Sequence, residues 1–203
     1  MGKVLVACEF SGIVRDAFIK LGHDAWSCDL LDTESPGQHI KGDCLNELDK
    51  GWDLMIAHPE CTFLTNAGVR HLHEHVTSKN GKRAKISGSA RWTAMYTACD
   101  FFSKLANAKI PRICIENPIP HKYAREKIGK YTQIIQPWQF GHGETKATCL
   151  WLKNLPNLTP TLIVSERHPR CHLEPPGPNR WKNRSRTYTG IAEAMASQWG
   201  PLL

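Results

Sequence analysis

Two residues in this chain of 203 amino acids could make and break covalent bonds together, Cys61 and Glu116. Each follows an apolar run. Residues 53–57 (Asp-Leu-Met-Ile-Ala) lead through His58, Pro59 and Glu60 to the cysteine, and residues 112–115 (Arg-Ile-Cys-Ile) lead to Glu116, Asn117 and Pro118. Short apolar runs closed by proline read as buried strands, so the thiol and the carboxyl come to one edge of a sheet. A thiolate there can add to carbon-6 of a pyrimidine and make carbon-5 nucleophilic towards an activated methyl group. A carboxyl group that bonds N3 of the base stabilises the charge developing in the ring. The neighbouring Glu60 works against the thiolate, because an adjacent acid raises a thiol pKa. The plain alternative is an inert buried thiol beside a capping glutamate.

The residues that could hold a cofactor lie earlier. A β-rich run over 3–8 is followed by Glu9, Phe10, Ser11 and Gly12, and then by Ile13, Val14, Ala17, Phe18 and Leu21 at helical spacing. This is strand, tight turn and helix, closed by Gly22. Such a turn brings backbone N–H groups close to a ligand, and the helix start favours negative charge. Its spacing lacks the G-x-G-x-x-G fingerprint of dinucleotide sites. Asp29 closes a second strand over 25–29, where an acidic residue can hold ribose hydroxyls. Asp43 closes a third short element over 39–43 and could accept from an adenine amino group. As alternatives, each aspartate could be a solvated loop residue or a helix cap.

The elements that must position these groups form one α/β domain over residues 1–203, with a mostly parallel sheet covered by helices and ligands at the carboxyl ends of the strands. Residues 66–90 lack apolar periodicity and read as a mobile loop, whereas Trp92, Met95, Cys99, Phe102 and Leu105 form a helical stripe. Residues 131–138 and 148–152 supply further strands, residues 156–188 form an irregular basic segment, and residues 191–196 suit a closing helix. The 26 Lys and Arg against 19 Asp and Glu give a net charge of +7, which favours a polyanionic partner. The cations gather in two groups. Lys79, Lys82, Arg83, Lys85 and Arg91 lie in or beside the loop, and Arg180, Lys182, Arg184 and Arg186 mingle with Trp181 and Tyr188. Cations bind phosphates and aromatic faces stack on bases, which suits DNA, RNA or a nucleotide. Thiols inside apolar runs, no leading signal segment and no run of about 18 apolar residues place the chain in the cytoplasm, away from membranes. His168, Cys171 and His172, with His71, His73 and His75 elsewhere, match no recognised zinc spacing, so no metal is expected.

The order of these motifs resembles the cytosine carbon-5 DNA methyltransferases from roughly residue 3 to 199. Residues 9–12 are similar to that family's cofactor turn, Asp29 and Asp43 to its two acidic cofactor contacts, His58 to Cys61 to its Pro-Cys nucleophile loop, and Glu116-Asn117 to its Glu-Asn motif. Lys146 falls where the family carries a Gln-x-Arg-x-Arg strand, and residues 190–196 resemble its closing helix. The resemblance extends to short phage-encoded members, particularly over 146–155 and 184–199. It implies a single-domain Rossmann-like fold that binds S-adenosylmethionine through Cys8, Glu9, Phe10, Ser11, Gly12, Asp29, Asp43, His58 and Pro59. It implies Cys61 as nucleophile, Glu116 at N3 of the base, Asn117 ordering the loop and Lys146 assisting the base or phosphate. The family's target-recognition domain has no counterpart, because residues 156–186 are too few for one. The implied host is a bacterial or phage-infected cell.

Overall fold

The computed structural model describes residues 1–73 and 86–203. Its centre is a seven-stranded sheet in the order β3-β2-β1-β4-β5-β7-β6. The strands are β1 (Lys3–Ala7), β2 (Asp24–Asp29), β3 (His39–Lys41), β4 (Leu54–Ala57), β5 (Arg112–Pro118), β6 (Gln133–Ile135) and β7 (Thr148–Lys153). The first five pair in parallel, whereas β7 runs antiparallel to both β5 and β6. Strands β1 and β4 are continuous apolar runs because successive residues feed two different cores. Val4, Val6, Leu54 and Ile56 pack with Phe18 of α1 (Ile13–Lys20) and with Met195 and Trp199 of α6 (Thr189–Trp199). Leu5, Ala7, Met55 and Ala57 pack on the other face with Met95, Phe102 and Leu105 of α2 (Gly88–Ala106).

Several elements differ from the sequence reading. The helical stripe starts at Gly88, and Asn66–Leu72 forms a 3₁₀ helix, so both ends of the expected loop are regular. A short helix, α3 (Lys122–Ile128), follows β5 without any clear apolar period; its cap is the His121 ring, which accepts from the Ala124 N–H at 3.1 Å. The expected strand over 131–138 shrinks to three residues because Pro137 opens a 3₁₀ turn. The segment 156–188 carries two short helices, α4 (Arg170–Leu173) and α5 (Arg180–Ser185). No described helix is long and apolar enough to cross a membrane.

Candidate active site

Parallel pairing places the carboxyl ends of β1, β2, β4 and β5 side by side, and two cavities open there. The register pairs Ala57 with Ile115, so the residues that follow, His58 and Glu116, emerge as neighbours. Asn117 then ties the two chain segments together. It is 1% exposed, and its Nδ2 donates to the Pro59 carbonyl at 2.9 Å, which fixes the path of the 58–61 loop.

The smaller cavity, of about 230 Å³, is bounded by His58, Cys61, Glu116, Asn117, Lys146 and Arg184, among others. It brings together the thiol and the carboxyl singled out from the sequence. His58 Nδ1 lies 3.5 Å from Glu116 Oε2, with side-chain exposures of 13% and 11%. Burial alone would lower the His58 pKa, but the Glu116 carboxylate and then Glu9 more than reverse this, so the ring holds its proton above the ordinary histidine range. For Glu116, burial acts to raise the carboxyl, and His58 with Lys146 outweighs it, leaving the acid below its ordinary range. Each member of this buried pair thus favours the charged form of the other. Cys61 is pushed up, first by burial and then by Glu60, against the opposing charges of Lys146 and Arg184.

Four buried polar atoms around this cavity have no hydrogen-bond partner: His58 Nε2, Glu116 Oε2, Asn117 Oδ1 and Arg184 Nε. Among the described residues only His71 Nδ1 shares that condition. Buried polar groups are almost always satisfied, so such a concentration calls for a polar partner in the cavity, whether water or a ligand.

The larger cavity, of about 640 Å³, runs from the ends of β1 and β2 towards α2. Its walls include Cys8, Phe10, Asp29, Asp43, Phe63 and Phe101, and it shares Cys8, Phe10, His58, Glu60, Trp181 and Ser185 with the smaller one. Asp29 and Asp43 each use one carboxylate oxygen to accept a local backbone N–H, from Leu31 and Leu45. Each is thus a turn or cap residue as well as a wall of the cavity.

The turn after β1 works differently from the sequence expectation. Glu9 is 4% exposed, and its carboxylate accepts from the Val14 N–H at 2.7 Å and the Arg15 N–H at 3.3 Å. The α1 amino terminus is therefore already occupied by the chain's own negative charge. Burial raises the Glu9 carboxyl above its ordinary range, with His58 and these backbone donors opposing. Gly12 lies outside both cavities. It adopts φ +76°, and a Cβ there would meet the Arg15 guanidinium at 2.4 Å, so its glycine serves the buried Arg15.

The basic residues separate into two kinds. Arg91 is 8% exposed and donates to the Thr62 carbonyl at 2.9 Å; Arg180 donates to the Glu174 carbonyl at 2.7 Å; and Arg186 makes a two-pronged contact with Glu34 at 2.8 Å on both arms. Internal partners thus hold these three. Lys182 instead lies over the Phe10 and Trp181 rings, and Arg184 faces the smaller cavity beside Lys146. Lys79, Lys82, Arg83 and Lys85 fall outside the described residues. The sequence reading did not see the His58–Glu116 pair, although the parallel register of β4 and β5 carried the signal for it.

No protein-family profile matches the chain, and no curated protein matches it. Among solved structures it is similar to a methyltransferase from Entamoeba histolytica, EhMeth, at 12% identity and a TM-score of 0.50, over 81% of this chain and 58% of that one. It is also similar to a chain described as a candidate DNA modification methyltransferase encoded within an E. coli prophage, at 13% identity and a TM-score of 0.49, over 81% of this chain and 52% of that one. The chain spans little more than half the length of the structures it matches. At such identity the likeness is one of fold, a single α/β domain with a mostly parallel, Rossmann-like sheet.

Proposed function

We propose that the protein is a methyltransferase that uses S-adenosylmethionine to modify carbon-5 of cytosine in DNA, with Cys61 as nucleophile and Glu116 at N3 of the base. The observation behind this is the set of unpartnered atoms on His58, Glu116, Asn117 and Arg184 around a cavity that also holds the Cys61 thiol. Each such atom costs about 1–3 kcal/mol while unpaired. A pyrimidine edge, with its ring nitrogen, amine and carbonyl, offers both donors and acceptors to meet them.

The larger cavity suits the cofactor on its donor set. Asp29 and Asp43 supply acceptors for hydroxyl and amino groups, Phe63 and Phe101 supply apolar wall, and Glu9 neutralises the helix end that would otherwise attract a phosphate. Bound there, S-adenosylmethionine supplies an electrophilic methyl group. The chain's own residues do the rest. Cys61 reacts as the thiolate, its proton passing to water, and forms a bond to carbon-6. Glu116 supports the ring charge at N3, and Asn117 keeps the 58–61 loop against β5. Arg184 and Lys182 serve the phosphates beside an extruded base, with Trp181 as an exposed stacking face.

The test is nucleoside mass spectrometry of DNA from cells expressing the protein against a Cys61→Ala control. 5-Methylcytosine in the first sample and its absence from the second is the expected result. Labelled methyl in free nucleotides or RNA alone would reassign the substrate. Salt-dependent DNA binding with no methylated product would make the protein a non-catalytic binder and end the proposal.

A further inference from the structure

We propose that His58 is a positioning residue for Glu116, storing the proton that Glu116 delivers to N3 of the target base during addition and taking it back on elimination. This rests on the reading of Cys61 and Glu116 given above. His58 emerges from β4 directly beside Glu116 on β5, and its Nδ1 is 3.5 Å from Glu116 Oε2, an ion-pair contact outside hydrogen-bond geometry that closes when the proton passes. Glu9, from the turn after β1, is a second carboxylate acting on the ring. Lys146, preceding β7, opposes the charge on the ring and favours the anionic form of Glu116. The cavity wall also carries Cys61, Glu60 and Arg184. A carboxylate held below its ordinary range arrives at the base without a proton of its own to give, and the proton it needs sits one contact away.

His58 Nδ1–H passes its proton to Glu116 Oε2, leaving a neutral imidazole and a neutral acid. As the Cys61 Sγ–carbon-6 bond forms, the carbon-5–carbon-6 π pair moves to carbon-4–carbon-5, the carbon-4–N3 pair moves to N3, and N3 takes the proton from Glu116. The adduct is neutral, His58 is left as the neutral imidazole, and Glu116 returns to its carboxylate, so the negative charge that entered on the thiolate is balanced by the proton that left His58. Reversal of the same movements returns the proton to His58.

Exchange of the cytosine carbon-5 hydrogen into D₂O requires addition and reversal but no methyl transfer. With a single-stranded cytosine oligonucleotide, the wild-type exchange rate should rise towards neutrality, level off where ionisation of Cys61 and loss of the His58 proton offset each other, and then fall on an alkaline limb that requires the His58 proton. Positioned proton transfer contributes about 10²–10⁴-fold, so His58→Gln should lower the rate by about 100-fold at saturating S-adenosylmethionine and remove that limb. A His58→Gln profile superimposable on the wild type would overturn the proposal alone; no exchange by the wild type would overturn the reading of the site as well. NMR titration of the His58 ring guards against a variant that fails to fold. Its midpoint should lie above the ordinary value of about 6.5 in the wild type and drop in Glu116→Gln, and a wild-type midpoint at or below the ordinary value would overturn the proposal.

Discussion

Asn117 is the joint between the nucleophile loop and the sheet, and its replacement gives a sharp prediction. Its Nδ2 donates 2.9 Å to the Pro59 carbonyl at a site 1% exposed. In Asn117→Ala that carbonyl loses its donor where water cannot easily replace it, a cost of about 1–3 kcal/mol. For a urea slope of about 2 kcal/mol per M, the unfolding midpoint falls by about 0.5–1.5 M. Asn117→Asp is more severe at neutral pH. It sets an acceptor against an acceptor beside Glu116, and an uncompensated buried charge costs about 3–5 kcal/mol. The sign with pH follows directly. The introduced carboxyl is held above its unfolded value of about 3.9, so the deficit is absent below that pH and grows as pH rises towards the folded value. The protonated form can even donate its O–H to Pro59. Urea melts followed by circular dichroism, each compared with wild type at the same pH, read both effects. An Asn117→Ala midpoint indistinguishable from wild type, or an Asn117→Asp deficit that does not shrink on acidification, would refute the reasoning.

Two further outcomes are expected. In Gly190→Ala the new methyl would lie 1.9 Å from the Phe140 carbonyl oxygen, forcing the start of α6 away from its core; about 2 kcal/mol is lost, or a melting temperature about 4–8 °C lower by calorimetry. Gly42→Ala, with nothing within 4 Å of the added carbon, is the matched control and should change stability by less than about 0.5 kcal/mol. Because burial and Glu60 raise the Cys61 thiol, its alkylation by iodoacetamide, followed by peptide mass spectrometry, should still be accelerating at pH values where an exposed thiol has levelled off. A Cys61 rate that levels with exposed thiols would contradict that environment.

The parallel half of the fold was legible because β1, β4 and β5 each contain a short apolar run that leads into acidic or proline-containing sequence, Glu9 after β1, Pro59 and Glu60 after β4, and Glu116 to Pro118 at the end of β5. Helix α3 was not, since Lys122–Ile128 is mostly charged or polar and its cap is the ring of His121, a residue type seldom read as a cap. The direction of β7 escaped as well, because pairing partners are not encoded in the strand's own pattern. In the site, Cys61 and Glu116 could be read from strand ends alone. Glu9 could not, for its role depends on a helix folding back over its carboxylate. Charge runs mark where cations are, but only tertiary contacts separate Arg186, bound to Glu34, from Arg184, which faces the cavity.

One short helix, α5, puts Trp181 and Ser185 into the walls of both cavities. Its far end is fastened by Arg186 to Glu34, a pair about one-third exposed at each side chain, and such pairs hold by only about 0–1 kcal/mol. Two chambers thus share a single, lightly latched door. If the two chambers take the cofactor and the base as proposed, the rate at which spent molecules leave would depend on ionic strength through that contact, even if the bond-making steps did not.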